Sequence, residues 1–202
     1  MPRTQLGRPV GASGEETRQR IIVATMKCVA RVGYSRATIR EIARMADMTS
    51  ASLYNYFPNK SELIKAAIAA RAEVAMPRLR RAAEGAGDIV DRIEALLDES
   101  GALMREYPDL AAFEWAIRAE HLIATDGGGF EVFRGIIETA VEDAHRRGDL
   151  GDHPDPRGAV EAIYALVYGL TELAAAMPPA DYQAALSAAK VLVRGALFAA
   201  SP

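Results

Sequence analysis

Apolar residues recur along this chain at spacings of three and four, and no stretch alternates apolar and polar positions for long enough to make a strand. Ile21, Thr25, Cys28, Val29 and Val32 share one face of a first helix, expected from about residue 15 to 32. Ser13 with Glu16 has the pattern of a capping box at its start, and Gly33 ends it. Thr38 with Glu41 forms a second box and opens a short helix to about Met45. A further short helix fits about residues 50–56, and Pro58 stops it. Asn59 with Glu62 then begins a longer helix towards Ala75, which Met76-Pro77 ends or kinks. Pro and Gly cluster at 85–87, 107–108, 127–129, 148–156 and 178–179. Between these breaks lie about five more helices, over 88–106, 109–123, 130–147, 156–176 and 181–199. The expected fold is all-α with about nine helices, and the glycines at 127–129 predict a flexible loop.

Within this pattern, residues 38–57 stand apart. Two short helices are joined by residues 46–49, with Ile42, Ala43, Ala46, Met48 and Leu53 as the apolar positions. That spacing lets the helices cross steeply around a small shared core. It is the pattern of a helix-turn-helix, whose second helix enters the DNA major groove. The turn favours a residue that tolerates the left-handed conformation, and Asp47 stands there in place of glycine. The second helix exposes Thr49, Ser50, Ser52, Asn55, Tyr54 and Tyr56, none of them acidic, so phosphates and base edges can approach. A polar surface helix in any helical protein is the competing reading.

Charge sharpens the picture. The net charge of −3 hides a split: residues 1–71 carry +7 and residues 72–202 carry −10. A basic first third on an acidic remainder suggests that only the first third meets a polyanion. Composition otherwise matches an ordinary globular chain, 50% hydrophobic and 25% charged, which excludes disordered, collagenous and disulfide-scaffold classes. The single cysteine, Cys28, cannot form an internal disulfide and points to the cytoplasm. No apolar run approaches the roughly 20 residues that cross a bilayer, so no membrane partner is expected. His121, His145 and His153 lack metal-ligand spacing, and no nucleophile elbow, phosphate loop or dinucleotide fingerprint occurs. Neither a metal nor a cofactor is therefore expected, nor an enzyme.

The stretches Thr38-Ile39-Arg40-Glu41-Ile42-Ala43 and Ser52-Leu53-Tyr54-Asn55-Tyr56-Phe57-Pro58-Asn59-Lys60-Ser61-Glu62-Leu63 resemble the DNA-binding domain of the TetR family of bacterial repressors. The likeness covers about residues 15–65. It implies a homodimer that binds a palindromic operator in double-stranded DNA and leaves it when a small hydrophobic or aromatic effector binds the C-terminal part. By that resemblance Thr38 would cap its helix and contact a phosphate, and Arg40 would reach a base edge. Ser50, Ala51 and Ser52 would stand at base-reading positions, flanked by Thr49 and Asn55. Tyr54 would meet a base or the backbone, and Tyr56 and Lys60 would hold phosphates. The implied organisation is a mobile basic arm over 1–12, a helix-turn-helix domain over 13–65 with its recognition helix at about 50–56, and a ligand-binding and dimerisation domain over 66–202. Arg3 and Arg8 in the arm could reach an adjacent groove.

The acidic C-terminal part offers two sets of candidates. Small residues crowd the last two helices; the same resemblance implies that Ala162, Ala165, Gly169, Ala185, Ala188, Ala189 and Leu192 pair them with their symmetry mates in a four-helix bundle, with packing inside one chain as the alternative. For an effector pocket, Phe113, Ile117 and His121 share one helical face, with Trp115 and Arg118 on the next. Met104, Tyr107 and Phe133 could add walls, and Tyr164 and Tyr168 a polar-aromatic stripe. Ordinary core packing competes for each of these. Two other functions stay open: a DNA-binding regulator with no small-molecule ligand, and a structural DNA-binding protein. The latter is expected to be basic throughout, which the −10 segment is not.

Overall fold

The structure, a computed structural model, describes residues 10–119, 129–150 and 155–197, with side chains over 14–117, 132–150 and 155–195. Among these residues the chain forms nine α-helices and no strand. They are α1 (Val10–Val32), α2 (Ile39–Met45), α3 (Ser50–Tyr54), α4 (Lys60–Ala83), α5 (Ile89–Glu106), α6 (Pro108–Ala119), α7 (Gly129–Arg147), α8 (Pro156–Ala176) and α9 (Pro179–Leu192). A short π-helical stretch, Val193–Leu197, continues α9.

Three boundaries differ from expectation. The first helix begins at Val10, so Ser13 lies inside it rather than capping it, and the expected arm is shortened from its C-terminal side. Arg3 and Arg8 fall outside the described residues. The helix expected over 50–56 ends at Tyr54, leaving Tyr56 in the turn that follows. The largest difference is in α4, which runs through Pro77 to Ala83 instead of ending near Ala75. Proline at that position withholds one hydrogen bond from the Glu73 carbonyl. The helix continues because Ala75 and Met76 before Pro77, and Leu79 and Ala83 after it, are all buried. Arg78 also pins it to α5 through Glu99 at 2.5 Å and Glu106 at 2.6 Å.

The interior divides into two apolar clusters. The first joins Ile21, Ile22, Cys28 and Val29 of α1 to Ile42, Ala43 and Ala46 at α2, Leu53 of α3, Phe57, and Leu63, Ile64 and Ala67 of α4. Phe113 and Ile117 of α6 complete it. Burying a side chain of this size contributes about 1.5–3 kcal/mol each, which lets such short helices hold. Burial also pushes the Cys28 thiol up, keeping it protonated within this packing. The second cluster runs from Ala75 to Val193 and packs α5, α7, α8 and α9 around the far half of α4. Arg92, itself buried, fastens it by donating to the Ala83 carbonyl and to Asp143.

Contrary to the reading of its apolar runs, the chain does hold one helix, α8, long and apolar enough to cross a membrane by length and composition. Its inner side packs through Ala159, Val160, Ile163, Val167 and Leu170. Ala162, Ala165 and Leu173 face outward.

Candidate nucleic-acid interface

Thr38 precedes α2 in an extended conformation, and its hydroxyl accepts the Glu41 amide at 3.2 Å. The Glu41 carboxylate turns instead to Arg31 and Arg44, at 3.2 and 3.1 Å. Those two cations are thereby matched by an anion. Arg40 is exposed and forms no ion pair among the described residues, so its charge is open to a partner. The turn after α2 rests on Asp47, which adopts φ of 54°. Met48 then donates to the Ala43 carbonyl at 3.0 Å, closing the turn against α2.

Thr49 caps α3 by accepting the Ser52 amide at 3.1 Å, and the two hydroxyls are hydrogen-bonded to each other at 2.9 Å. Leu53 points wholly inward. This register turns Ala51, Tyr54 and Asn55 outward, with Ser50 half-buried beside them. Tyr54 is 52% exposed and Tyr56 37%. At the start of α4, the Asn59 side chain accepts the Glu62 amide at 2.9 Å. Lys60 bends back: its ammonium donates to the Tyr34 carbonyl and lies 3.9 Å from the centre of the Tyr34 ring. The sequence reading did not anticipate this partner, whose signal is only the Tyr34 that follows Gly33. Arg18 of α1 packs over Phe57, 5.1 Å from its ring centre, closing the other side of the small domain.

The model of the bacterial regulatory proteins, tetR family, matches residues 21–67, the same segment that folds around this turn. Over these residues the chain is similar to the DNA-binding domain of the TetR family. It is 41% identical to the HTH-type transcriptional regulator SrpR of Pseudomonas putida over 66 residues, covering 33% of this chain and 31% of that protein. To the HTH-type transcriptional regulator TtgR, also of Pseudomonas putida, it is 28% identical over 171 residues, 77% of this chain and 79% of that one. Several curated relatives are matched over only 31% to 49% of their own length. In three dimensions the fold resembles the fatty acid degradation regulator FadR of Bacillus halodurans, with a TM-score of 0.76 at 17% identity, covering 96% and 98% of the two chains.

The rest of the chain arranges the remaining candidates unevenly. Met104, Phe133, Tyr164 and Tyr168 line one cavity between α4, α5, α6, α7 and α8. Its free interior is only about 50 Å³. Tyr164 lies between Phe133 and Tyr168, with ring centres 6.4 and 6.3 Å away. Phe113 and Ile117, in contrast, belong to the packed core against α1, because α6 turns that face towards the DNA-binding helices. Trp115 is 42% exposed on the opposite side, beside Glu172. Tyr107 sits at the α5–α6 corner, on a separate groove. The side chains of Arg118 and His121 lie outside the described residues.

Two residues that the sequence did not single out dominate the cavity wall. Arg71 of α4 and Glu114 of α6 form an ion pair whose side chains are 8% and 6% exposed. Nothing local in the sequence signals a pairing between residues so far apart. On the outer surface, Ala162, Ala165, Ala188 and Leu192 are exposed and Gly169 half-exposed. Ala189 departs from expectation: it is buried in the chain's own core, and Ala185 packs against that core. Both lie on the side of α9 that faces inward.

Proposed function

We propose that this chain is a DNA-binding transcriptional regulator that acts as a homodimer, represses from a palindromic operator, and is released by a small hydrophobic or aromatic effector. The observation that carries this reading is the outward face made by Arg40, Ser50, Ala51, Tyr54 and Asn55, with no acidic side chain among them. A helix presented this way suits the major groove, where an Arg–guanine pair gives about 1–3 kcal/mol of discrimination. Thr38 and Thr49 serve first as helix caps, and the Ser52 hydroxyl is hydrogen-bonded to that of Thr49. Tyr56 and Lys60 are assigned to phosphates, Lys60 while it stays anchored on Tyr34.

The dimer reading rests on the exposed apolar faces of α8 and α9. Leu173 is 37% exposed, Leu192 53% and Val191 70%, continuous with the small residues Ala162, Ala165 and Ala188. Paired with a second copy, they would set two recognition helices about 34–36 Å apart or somewhat wider. Coupling would pass along α4, whose first turn carries Lys60 and whose length spans roughly 36 Å at 1.5 Å per residue. A typical coupling of about 1–3 kcal/mol changes operator affinity about 5–150-fold. A cytoplasmic location follows from the same reading.

The inner cavity, at about 50 Å³, favours a second reading: a regulator with no small-molecule ligand inside its body. Selection of bound sequences from random duplex DNA, followed by footprinting, tests the main proposal. One protected palindrome is the expected result; diffuse protection would show a structural binder, and none would overturn DNA binding.

A further inference from the structure

Three of the large hydrophobic side chains left in water stand around one groove. Val23 is 44% exposed, Val74 46% and Tyr107 41%. The groove lies where α1, α4 and the α5–α6 corner meet, and encloses about 490 Å³. Its floor is Ile22, Met26, Ala70 and Leu110. Exposed apolar side chains gathered in a concavity of this size mark a binding site more often than scattered ones do.

The inner cavity of about 50 Å³ lies on the other side of the same wall, since Arg71, Ala75, Leu103 and Leu110 line both spaces. A space that small holds a water or two, whereas a drug-sized molecule needs about 300 Å³ or more. The groove therefore has room for an organic ligand without any side chain moving, and the cavity does not.

The charges of the groove decide the kind of ligand. Arg71 in its wall is paired to Glu114, and Glu106 on its edge is paired to Arg78. Lys27 and Asp109 on the rim are exposed and opposite in sign. No net charge is left for a ligand to match, and a charged group laid on the apolar floor would lose its water without a counter-ion.

We propose that this groove is a ligand site in its own right, for an uncharged, largely apolar molecule that bridges α1 and the α5–α6 corner. The site does not depend on whether the chain binds DNA. It does bear on how α1 sits against α6, because the ligand would touch both.

Methionine-methyl NMR of the full chain tests it, because Met26 lines the groove while Met76 and Met104 line the inner cavity. The probes are 2-naphthol, 4-phenylphenol and 1-octanol. At least one is expected to shift the Met26 signal saturably, with Met76 and Met104 moving less. Val74→Trp, and separately Val23→Trp, fill the groove from exposed positions and are expected to weaken that binding at least tenfold. The charged analogues 2-naphthoate and 2-naphthylmethylammonium are expected to bind at least fivefold more weakly than 2-naphthol. The proposal is overturned if no probe moves Met26, if both tryptophan variants bind as before, or if Met76 and Met104 respond first. Tighter binding of either charged analogue would overturn the ligand class.

Discussion

The guanidinium of Arg71 meets the carboxylate of Glu114 in the interior, joining α4 to α6 where the two apolar clusters meet. A buried pair of this kind gives little net stability, but removing one partner strands a charge. Glu114→Ala is therefore expected to cost about 3–5 kcal/mol, and Arg71→Ala a similar amount. The double variant Arg71→Met, Glu114→Leu should recover most of that loss. Urea unfolding of the three variants checks it, and equal losses in single and double variants would show that the pair is not what matters.

Arg40 has an unmatched charge, while Arg44 on the same helix shares Glu41 with Arg31. Arg40→Ala is expected to relax base preference at one symmetric operator position by about 1–3 kcal/mol. Arg44→Ala should leave base preference unchanged. A base-substitution scan by fluorescence anisotropy distinguishes them, and unchanged preference in Arg40→Ala would remove its base-reading role.

Asp47 holds φ of 54°, a conformation that costs an ordinary side chain strain. Asp47→Gly is expected to be neutral or stabilising by up to about 1 kcal/mol. Asp47→Val should lose at least about 1 kcal/mol, because a β-branched residue is poorly accommodated there. Thermal unfolding decides the matter; equal melting temperatures for the two variants would contradict it.

Hydrogen bonding from Arg92 holds the Asp143 carboxyl below its ordinary value, and Arg147 and Arg146 add to the effect. The folded state thus binds this proton less readily than the unfolded chain does. Its contribution to stability is present above the ordinary aspartate value of about 3.9. It fades as the pH falls through the lower folded value. Asp143→Asn should flatten the acid side of a melting-temperature profile and leave the profile above pH 6 parallel to the parent. A steeper acid limb would refute the assignment.

Leu192 and Val191 are the most exposed large hydrophobics on α9. Leu192→Glu is expected to shift the chain from dimer to monomer in light scattering at micromolar concentration, with helicity preserved. Ala189→Glu, aimed into the core, should unfold the chain instead. A dimer that survives Leu192→Glu unchanged would place the interface elsewhere.

What the sequence made legible follows the range of the signals it contains. Caps act within four residues, so Thr38 and Asn59 could be read directly, and Asp47 is where the turn demanded it. Contacts between distant segments left no such trace. The Arg71–Glu114 pair and the assignment of Phe113 to the wrong space depend on how α6 lies against α1 and α4, and the fit of Lys60 against Tyr34 on how α4 starts beside the end of α1. Proline at position 77 misled for a related reason: its local cost was visible, while the burial and the ion pairs that offset it were not.

The gap that Pro77 leaves in α4 gives this helix the mechanics of two rods in series with a compliant joint. With one fewer hydrogen bond, that turn bends more easily than its neighbours. A push applied beyond the joint, at Arg78, is partly absorbed before it arrives at Lys60. A push applied at Arg71 acts on the stiff segment of α4 that starts at Lys60, just after α3. Leverage over the start of α4 is therefore greatest on the near side of the joint, where the buried ion pair lies.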